Sequence, residues 1–79
     1  MNNHALALSN ILTFLLEHHA EDIEAVTYNG ACSVVVLRSP PKGRTLLSWE
    51  WNPSELRGRI AHKTPSGITV FAPETEVSA

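Results

Sequence analysis

The side chains best suited to metal binding are four histidines, His4, His18, His19 and His62, and a single cysteine, Cys32. His18 and His19 are adjacent in a helical pattern, so they project about 100° apart and cannot chelate one ion together. The other spacings do not match a zinc-ligand pattern. We therefore predict no metal site and no cofactor, and we expect the histidines to lie at the exposed surface or at an interface.

Cys32 lies in an apolar segment, which predicts a small buried core residue rather than a reactive thiol. A single cysteine excludes a disulfide within the chain and is typical of a reducing compartment. The apolar stretch at residues 5–16 is not preceded by basic residues and is too short to span a bilayer. These features predict a cytoplasmic protein with no membrane partner.

Acidic residues are concentrated in the first half of the chain. Glu17, Glu21 and Glu24 recur at spacings of four and three, Asp22 lies between them, and residues 1–37 contain no lysine or arginine. The acids are predicted to form either a solvated face or a negative patch that binds a basic groove on a partner. Acid–base catalysis would need a pocket that separates two carboxylate pKa values, and 79 residues leave little room for one.

No other pattern indicates catalysis. The spacing of serine, histidine and acidic residues does not indicate a triad, and there is no Gly-rich turn followed by Lys-Ser or Lys-Thr to bind phosphate. We therefore predict that the protein is not an enzyme and has no catalytic residues.

All six basic residues lie within residues 38–63, and Trp49 and Trp51 lie between them in the sequence. Bases interleaved with aromatic side chains are typical of surfaces that bind single-stranded nucleic acid. The net charge of −2 excludes a strongly basic binder, and no sequence motif for RNA binding is present. Nucleic-acid binding is therefore the alternative hypothesis, with these candidate residues: Arg38, Lys42, Arg44, Arg57, Arg59 and Lys63.

The elements that position these residues are predicted from hydrophobic periodicity and turn signals. Residues 1–73 are predicted to form one α+β domain, in which an N-terminal helix packs on an antiparallel meander sheet of four or five strands, and residues 74–79 to form a flexible tail. Asn29-Gly30 indicates a two-residue hairpin turn that sets Val26 opposite Ser33. The helix is expected at 4–20, and the strands are expected at 23–28, 31–37, 45–51, 58–63 and 68–72.

Both faces of this predicted sheet are apolar. One is expected to hold Ile23, Ala25, Cys32, Val34, Val36 and Leu46, and the other Val26, Tyr28, Val35, Leu37, Leu47, Trp49 and Trp51. One helix covers one face, and an uncovered apolar patch usually marks an interface. Leu47, Trp49 and Trp51 are therefore predicted to bind a partner. The alternative is that the sheet curls and both tryptophans pack beneath the loop at 52–57.

The acidic run Glu17–Glu24, the Asn29-Gly30 hairpin and the Trp49/Trp51 strand, in so small a domain, resemble the plan of phage-encoded inhibitors of the anti-CRISPR type. This resemblance implies a non-enzymatic protein that binds a CRISPR effector complex in the host cytoplasm and blocks its DNA recognition. The partner-binding candidates are then Glu17, Glu21, Asp22, Glu24, Leu47, Trp49 and Trp51. A nucleic-acid-binding or regulatory module and a structural homodimer are the two alternatives.

Overall fold

The computed structural model describes residues 3–30, 32–42 and 44–74. A single 3-10 turn, Ala20–Asp22, connects the first helix to the first strand. The α+β class is confirmed, and residues 75–79 of the expected tail lie outside the described part of the chain. The helices and strands within the described residues are α1 (Asn3–His19), β1 (Ile23–Thr27), β2 (Ser33–Leu37), α2 (Arg44–Ser48), β3 (Asn52–Pro53), β4 (Arg59–Lys63) and β5 (Ile68–Pro73).

The sheet is mixed, so the prediction of an antiparallel meander is wrong in its topology. The strand order is β1-β2-β5-β4-β3, and β2 and β5 are parallel, whereas the other neighbours are antiparallel. After β2 the chain crosses to the far edge of the sheet through a loop and α2, and β3, β4 and β5 then return toward β2. A parallel pair requires such a crossover connection, which short-range sequence patterns do not reveal.

The segment predicted as a strand at 45–51 instead forms the helix α2 and an irregular stretch that ends at Trp51. Leu46 is buried in the core, and its carbonyl accepts hydrogen bonds from the Trp49 backbone N–H (3.2 Å) and the Trp51 indole Nε1–H (2.7 Å). A carbonyl at the end of a helix lacks a partner within the helix, and a half-buried indole needs an acceptor. The hydrogen bond from the Trp51 indole to the Leu46 carbonyl satisfies both groups, and it stabilises α2 in place of a strand.

The first hairpin has a longer connection than the predicted two-residue turn. Gly30 has a positive φ of 83°, and the side-chain oxygen of Asn29 accepts a hydrogen bond from the Cys32 N–H at 2.6 Å. Val26 therefore pairs with Val35 instead of Ser33. Because this shift is two residues, the side chains of β2 keep the faces that the sequence predicts for them.

A bulge interrupts β1 at Glu24. Ile23 pairs with Leu37, whereas Ala25 pairs with Val36, so one extra residue lies between the two pairs. The bulge moves Ile23 away from the face predicted for it and allows it to pack against the core. A bulge and a charge on an edge strand also discourage pairing with another strand.

The hydrophobic core lies between the two helices and one face of the sheet, called here the core face. The sheet contributes Val35, Leu37, Ile68, Val70 and Ala72, and the helices contribute Leu8, Leu15 and Leu46. The apolar arc of α1 is wider than this contact requires, and Leu6 and Leu16 remain exposed. No helix within the described residues is long and apolar enough to cross a membrane.

A buried polar contact attaches the start of α1 to the sheet. His4 was expected at the surface but is only 8% exposed, and Ser33 is only 1% exposed. The His4 Nδ1–H donates to the Ser66 carbonyl at 2.6 Å, so in the neutral ring Nε2 accepts from the Ser33 hydroxyl, also at 2.6 Å. The contact joins α1, β2 and the turn between β4 and β5.

Candidate binding surface

The second face of the sheet, called here the open face, is formed by side chains that alternate with those of the core face. Strand pairing aligns four small or apolar side chains across four strands in the order Ala25, Val36, Phe71 and Ala61. Val36 and Phe71 are partly exposed, and Val34 lies beside them in the same state. Ala25 is exposed and Ala61 is only 3% exposed, and the core cluster between the helices and the sheet contains none of the four residues.

Two basic side chains of β4 flank this apolar row. Arg59 and Lys63 alternate with Ile60 and His62, which places them on the open face on either side of Ala61. Lys63 is exposed, whereas Arg59 is half-buried. The Nη1 atom of Arg59 is enclosed and has no hydrogen-bond partner among the described residues. The open face therefore has an apolar centre and a positive flank.

The two tryptophans lie on the core face and not on the open face. The Trp49 ring stacks on His62 at a centroid distance of 4.6 Å and contacts Phe14 of α1 at 6.0 Å. The Trp51 ring stacks on Trp49 at 6.0 Å. Both indoles are half-buried by their own chain, as the alternative interpretation expected, although the covering groups belong to α1 and β4 and not to the loop at 52–57.

Leu47 is the most exposed member of the predicted apolar patch. It lies on the outer side of α2 with 63% of its surface accessible, whereas Trp49 and Trp51 pack toward the core. The structure therefore separates Leu47 from the two tryptophans in burial. Of the three residues, Leu47 alone presents most of its side chain to solvent.

The predicted acidic residues divide into two groups. Glu17, Glu21 and Glu24 are exposed around the end of α1 and the start of β1. Asp22 is half-buried, and its carboxylate accepts a hydrogen bond from the Ser39 hydroxyl and lies 3.9 Å from the Lys42 ammonium. Asp22 therefore attaches the loop after β2, whereas the three glutamates are accessible to solvent.

The basic residues whose side chains the structure describes do not form one surface. Arg38 follows β2, Lys42 lies near Asp22, Arg44 begins α2, and Arg57 is exposed in the turn before β4. Only Arg59 and Lys63 share a strand face, and that face is opposite the tryptophans. The interleaving of bases with tryptophans that motivated the nucleic-acid hypothesis is thus not formed by the described residues.

Two adjacent side chains that could carry chemistry, those of Cys32 and Ser33, differ in burial. Cys32 is exposed instead of buried, because it precedes the part of β2 that packs in the core. The Ser33 hydroxyl and His4 Nε2 have the separation of a nucleophile and its base, but both side chains are enclosed. Within the described residues no three His, Cys, Asp or Glu side chains form a group that could hold a metal ion.

Sequence reasoning missed Phe71 as a surface residue and assigned the uncovered face to the tryptophans. The signal for Phe71 is the alternation of residues 68–72, in which Ile68, Val70 and Ala72 are buried while Thr69 and Phe71 are partly exposed.

Comparisons with protein-family models, with curated proteins and with solved structures find no match for this chain.

Proposed function

We propose that this protein is a non-enzymatic inhibitor that docks through its open face on another protein. The observation that carries the proposal is the apolar row of Ala25, Val36 and Phe71, which stays at least partly exposed because neither helix covers it. Exposed apolar surface on a small domain is most often an interaction site. Docking would remove Val36 and Phe71 from water and supply the apolar part of the binding free energy.

The partner surface is expected to be acidic around an apolar centre. Arg59 and Lys63 give the open face a positive flank, and the enclosed Nη1 of Arg59 has no acceptor in the part of the chain that the structure describes. A carboxylate on the partner could draw Arg59 outward and bind its guanidinium through two parallel hydrogen bonds. Complementary charge of this kind favours correct orientation and rapid association.

A protein partner fits this face better than a nucleic acid does. Binding of single strands depends on successive bases stacking on several aromatic rings. Among the described residues the open face has one aromatic side chain, Phe71, and its neighbours Val34 and Val36 are branched aliphatic groups. A second copy of the chain fits less well too, because it would bring further basic residues to the positive flank.

The resemblance to anti-CRISPR proteins supplies the class of partner, a CRISPR effector complex whose DNA recognition would be blocked. Such complexes hold the guide–target duplex in a positively charged channel. Glu17, Glu21 and Glu24 are exposed and free to approach such a channel while the open face holds the inhibitor in place. The acids would then compete with DNA phosphates for the same basic residues.

The proposal is tested by co-elution with purified CRISPR effector complexes and by measuring how strongly each complex binds its target DNA. The unmodified protein is expected to co-elute with one of them and to lower its DNA affinity. Val36→Asp should weaken that binding by at least about tenfold, because it places a charge in the centre of the interface.

Leu6→Asp is the matched control, since Leu6 is an exposed apolar residue of α1 far from the open face in the fold. It should bind like the unmodified protein. The absence of co-elution with every complex would disprove the effector as partner. Equal binding by the Val36→Asp and Leu6→Asp variants would disprove the open face as the docking site.

A further inference from the structure

A groove opens at the edge of the sheet where β3 and β4 separate. The two strands pair only at Asn52 with Ala61 and at Pro53 with Ile60. Continuing that register would place Trp51 opposite His62 and Glu50 opposite Lys63. The chain instead diverges there, and a cavity of about 500 Å³ forms, with the lining residues Glu50, Asn52, Pro53, Ala61, His62, Lys63 and Pro65.

The separation of the strands is held by side chains. The His62 Nδ1–H donates to the Glu50 carbonyl at 3.0 Å. In a regular pair of strands a backbone N–H would make this hydrogen bond. The same ring stacks on Trp49 and contacts Trp51. These contacts leave Nε2 of the neutral His62 ring as an acceptor. Pro53 and Pro65 have no N–H, so neither can close the groove by donating a backbone hydrogen bond.

Opposite charges line the two sides of this groove without meeting. Glu50 comes from the segment before β3 and Lys63 from the end of β4, and both side chains are exposed. Opposite charges at facing positions of an antiparallel pair normally interact directly. The only ion pair found within the described residues joins Lys42 to Asp22, so Glu50 and Lys63 do not form an ion pair with each other.

We propose that the groove binds a small zwitterion, an α-amino acid with an apolar side chain. Its carboxylate would accept hydrogen bonds from Lys63, and its ammonium group would donate to Glu50. The apolar side chain would rest on Pro53, Ala61 and Pro65. The cavity volume lies in the range of small-molecule sites, which combine an apolar lining with a few polar groups that fix orientation.

The groove shares Ala61 and Lys63 with the open face. Its test uses no protein partner, so it can fail while the proposed inhibitor function holds. L-leucine is titrated into the isotope-labelled protein while the amide signals of Asn52 and 61–63 and both indole N–H signals are followed by NMR. N-acetyl-L-leucine, which lacks the ammonium group, and L-leucinamide, which lacks the carboxylate, are titrated in parallel. Each derivative is expected to bind about fivefold more weakly than L-leucine, the upper effect of a single exposed charge pair.

Variants then test whether Glu50 and Lys63 are the two charged groups that bind L-leucine. Glu50→Gln and Lys63→Met should each lower the L-leucine affinity about fivefold, whereas the controls Glu55→Gln and Arg57→Met, at exposed positions outside the groove, should leave it unchanged. The exchanged double variant Glu50→Lys with Lys63→Glu should recover the affinity, because a zwitterion can bind in the reverse orientation.

Three results would overturn the inference. The first is the absence of shifts near the groove at saturating L-leucine. The second is equal binding of L-leucine and N-acetyl-L-leucine, which would indicate a simple anion site at Lys63. The third is failure of the exchanged double variant to bind while its spectrum remains that of the folded protein.

Discussion

The two faces of the sheet differ in what covers them, although both are rich in apolar side chains. The core face is packed against α1, α2 and the half-buried tryptophans, and its Val35 is fully enclosed. Its neighbour Val36 lies on the open face and remains partly exposed. Adjacent valines in one strand therefore differ in environment, since Val35 packs in the core and Val36 stays partly in contact with water.

The largest expected difference between the faces is the response to a buried charge. Val35→Asp places a carboxylate in an enclosed apolar site and should prevent stable folding, because such a change costs several kcal/mol. Val36→Asp should destabilise by only about 1 kcal/mol, the range of strand propensities. Urea denaturation followed by circular dichroism measures both, and equal losses of stability would show that the open face is also core.

The next largest difference concerns two neighbouring leucines of α1. Leu15 is fully buried, whereas Leu16 is 60% exposed. Leu15→Ala should lower the free energy of unfolding by about 2–5 kcal/mol, since it removes packed methyl groups and leaves a cavity. Leu16→Ala should change it by less than about 0.5 kcal/mol. If the two variants had equal denaturation midpoints, α1 would not pack as described.

The polar contact of the core face gives a smaller effect. Ser33→Ala removes the hydroxyl that pairs with His4 Nε2 and should cost about 1–3 kcal/mol, because an enclosed ring nitrogen loses its partner. Cys32→Ala is the matched control, since Cys32 is adjacent and exposed, and it should have little effect. The double variant with His4→Leu should cost less than the sum of the two single changes if the side chains interact.

The indole hydrogen bond of Trp51 tests the border of the core face. Trp51→Phe keeps an aromatic ring but removes the donor to the Leu46 carbonyl, and it should cost about 0.5–1.5 kcal/mol. The effect is measured by thermal unfolding, with Trp49 fluorescence as the local reporter. A fully neutral substitution would mean that α2 does not depend on this bond.

The smallest expected effect is the binding of nucleic acid to the protein. The tryptophans and the basic residues of β4 lie on opposite faces, so we expect no salt-sensitive binding of single-stranded DNA near physiological ionic strength. Fluorescence anisotropy of a labelled oligonucleotide checks this. A steep decrease in affinity with added salt, reduced in the double variant Arg59→Gln and Lys63→Gln, would revive the nucleic-acid hypothesis.

Local patterns predicted the elements whose periodicity agrees with their burial. α1 and four of the strands lie within a few residues of their predicted bounds, because a wide apolar arc or an alternating run determines each. The predicted strand at 45–51 failed because Leu47, Trp49 and Trp51 alternate without forming a ladder. Leu47 belongs to the short helix α2, and the two tryptophans follow it and donate hydrogen bonds to the carbonyl of Leu46 in that helix.

Long-range features could not be predicted in the same way. The parallel pairing of β2 with β5 and the contact between His4 and Ser33 join residues far apart in sequence, and no local signal marks either. The sequence pattern places Val34 and Val36 on one side of the sheet and so predicts part of the open face, although it predicts the uncovered patch at Leu47, Trp49 and Trp51. Phe71 could not be assigned to the open face without knowing where β5 lies in the sheet. The tryptophans could not be excluded from the uncovered patch without knowing that residues 44–48 form α2.

The central position of β5 affects how the protein is made. Among the described residues β5 is the last strand in chain order, yet it lies between β2 and β4 and joins the hairpin of β1 and β2 to the pair of β3 and β4. Until β5 has left the ribosome, those two parts share no strand contact, and apolar groups of the core face stay exposed. The nascent chain is therefore expected to fold late and in one step, and to need protection from aggregation until then.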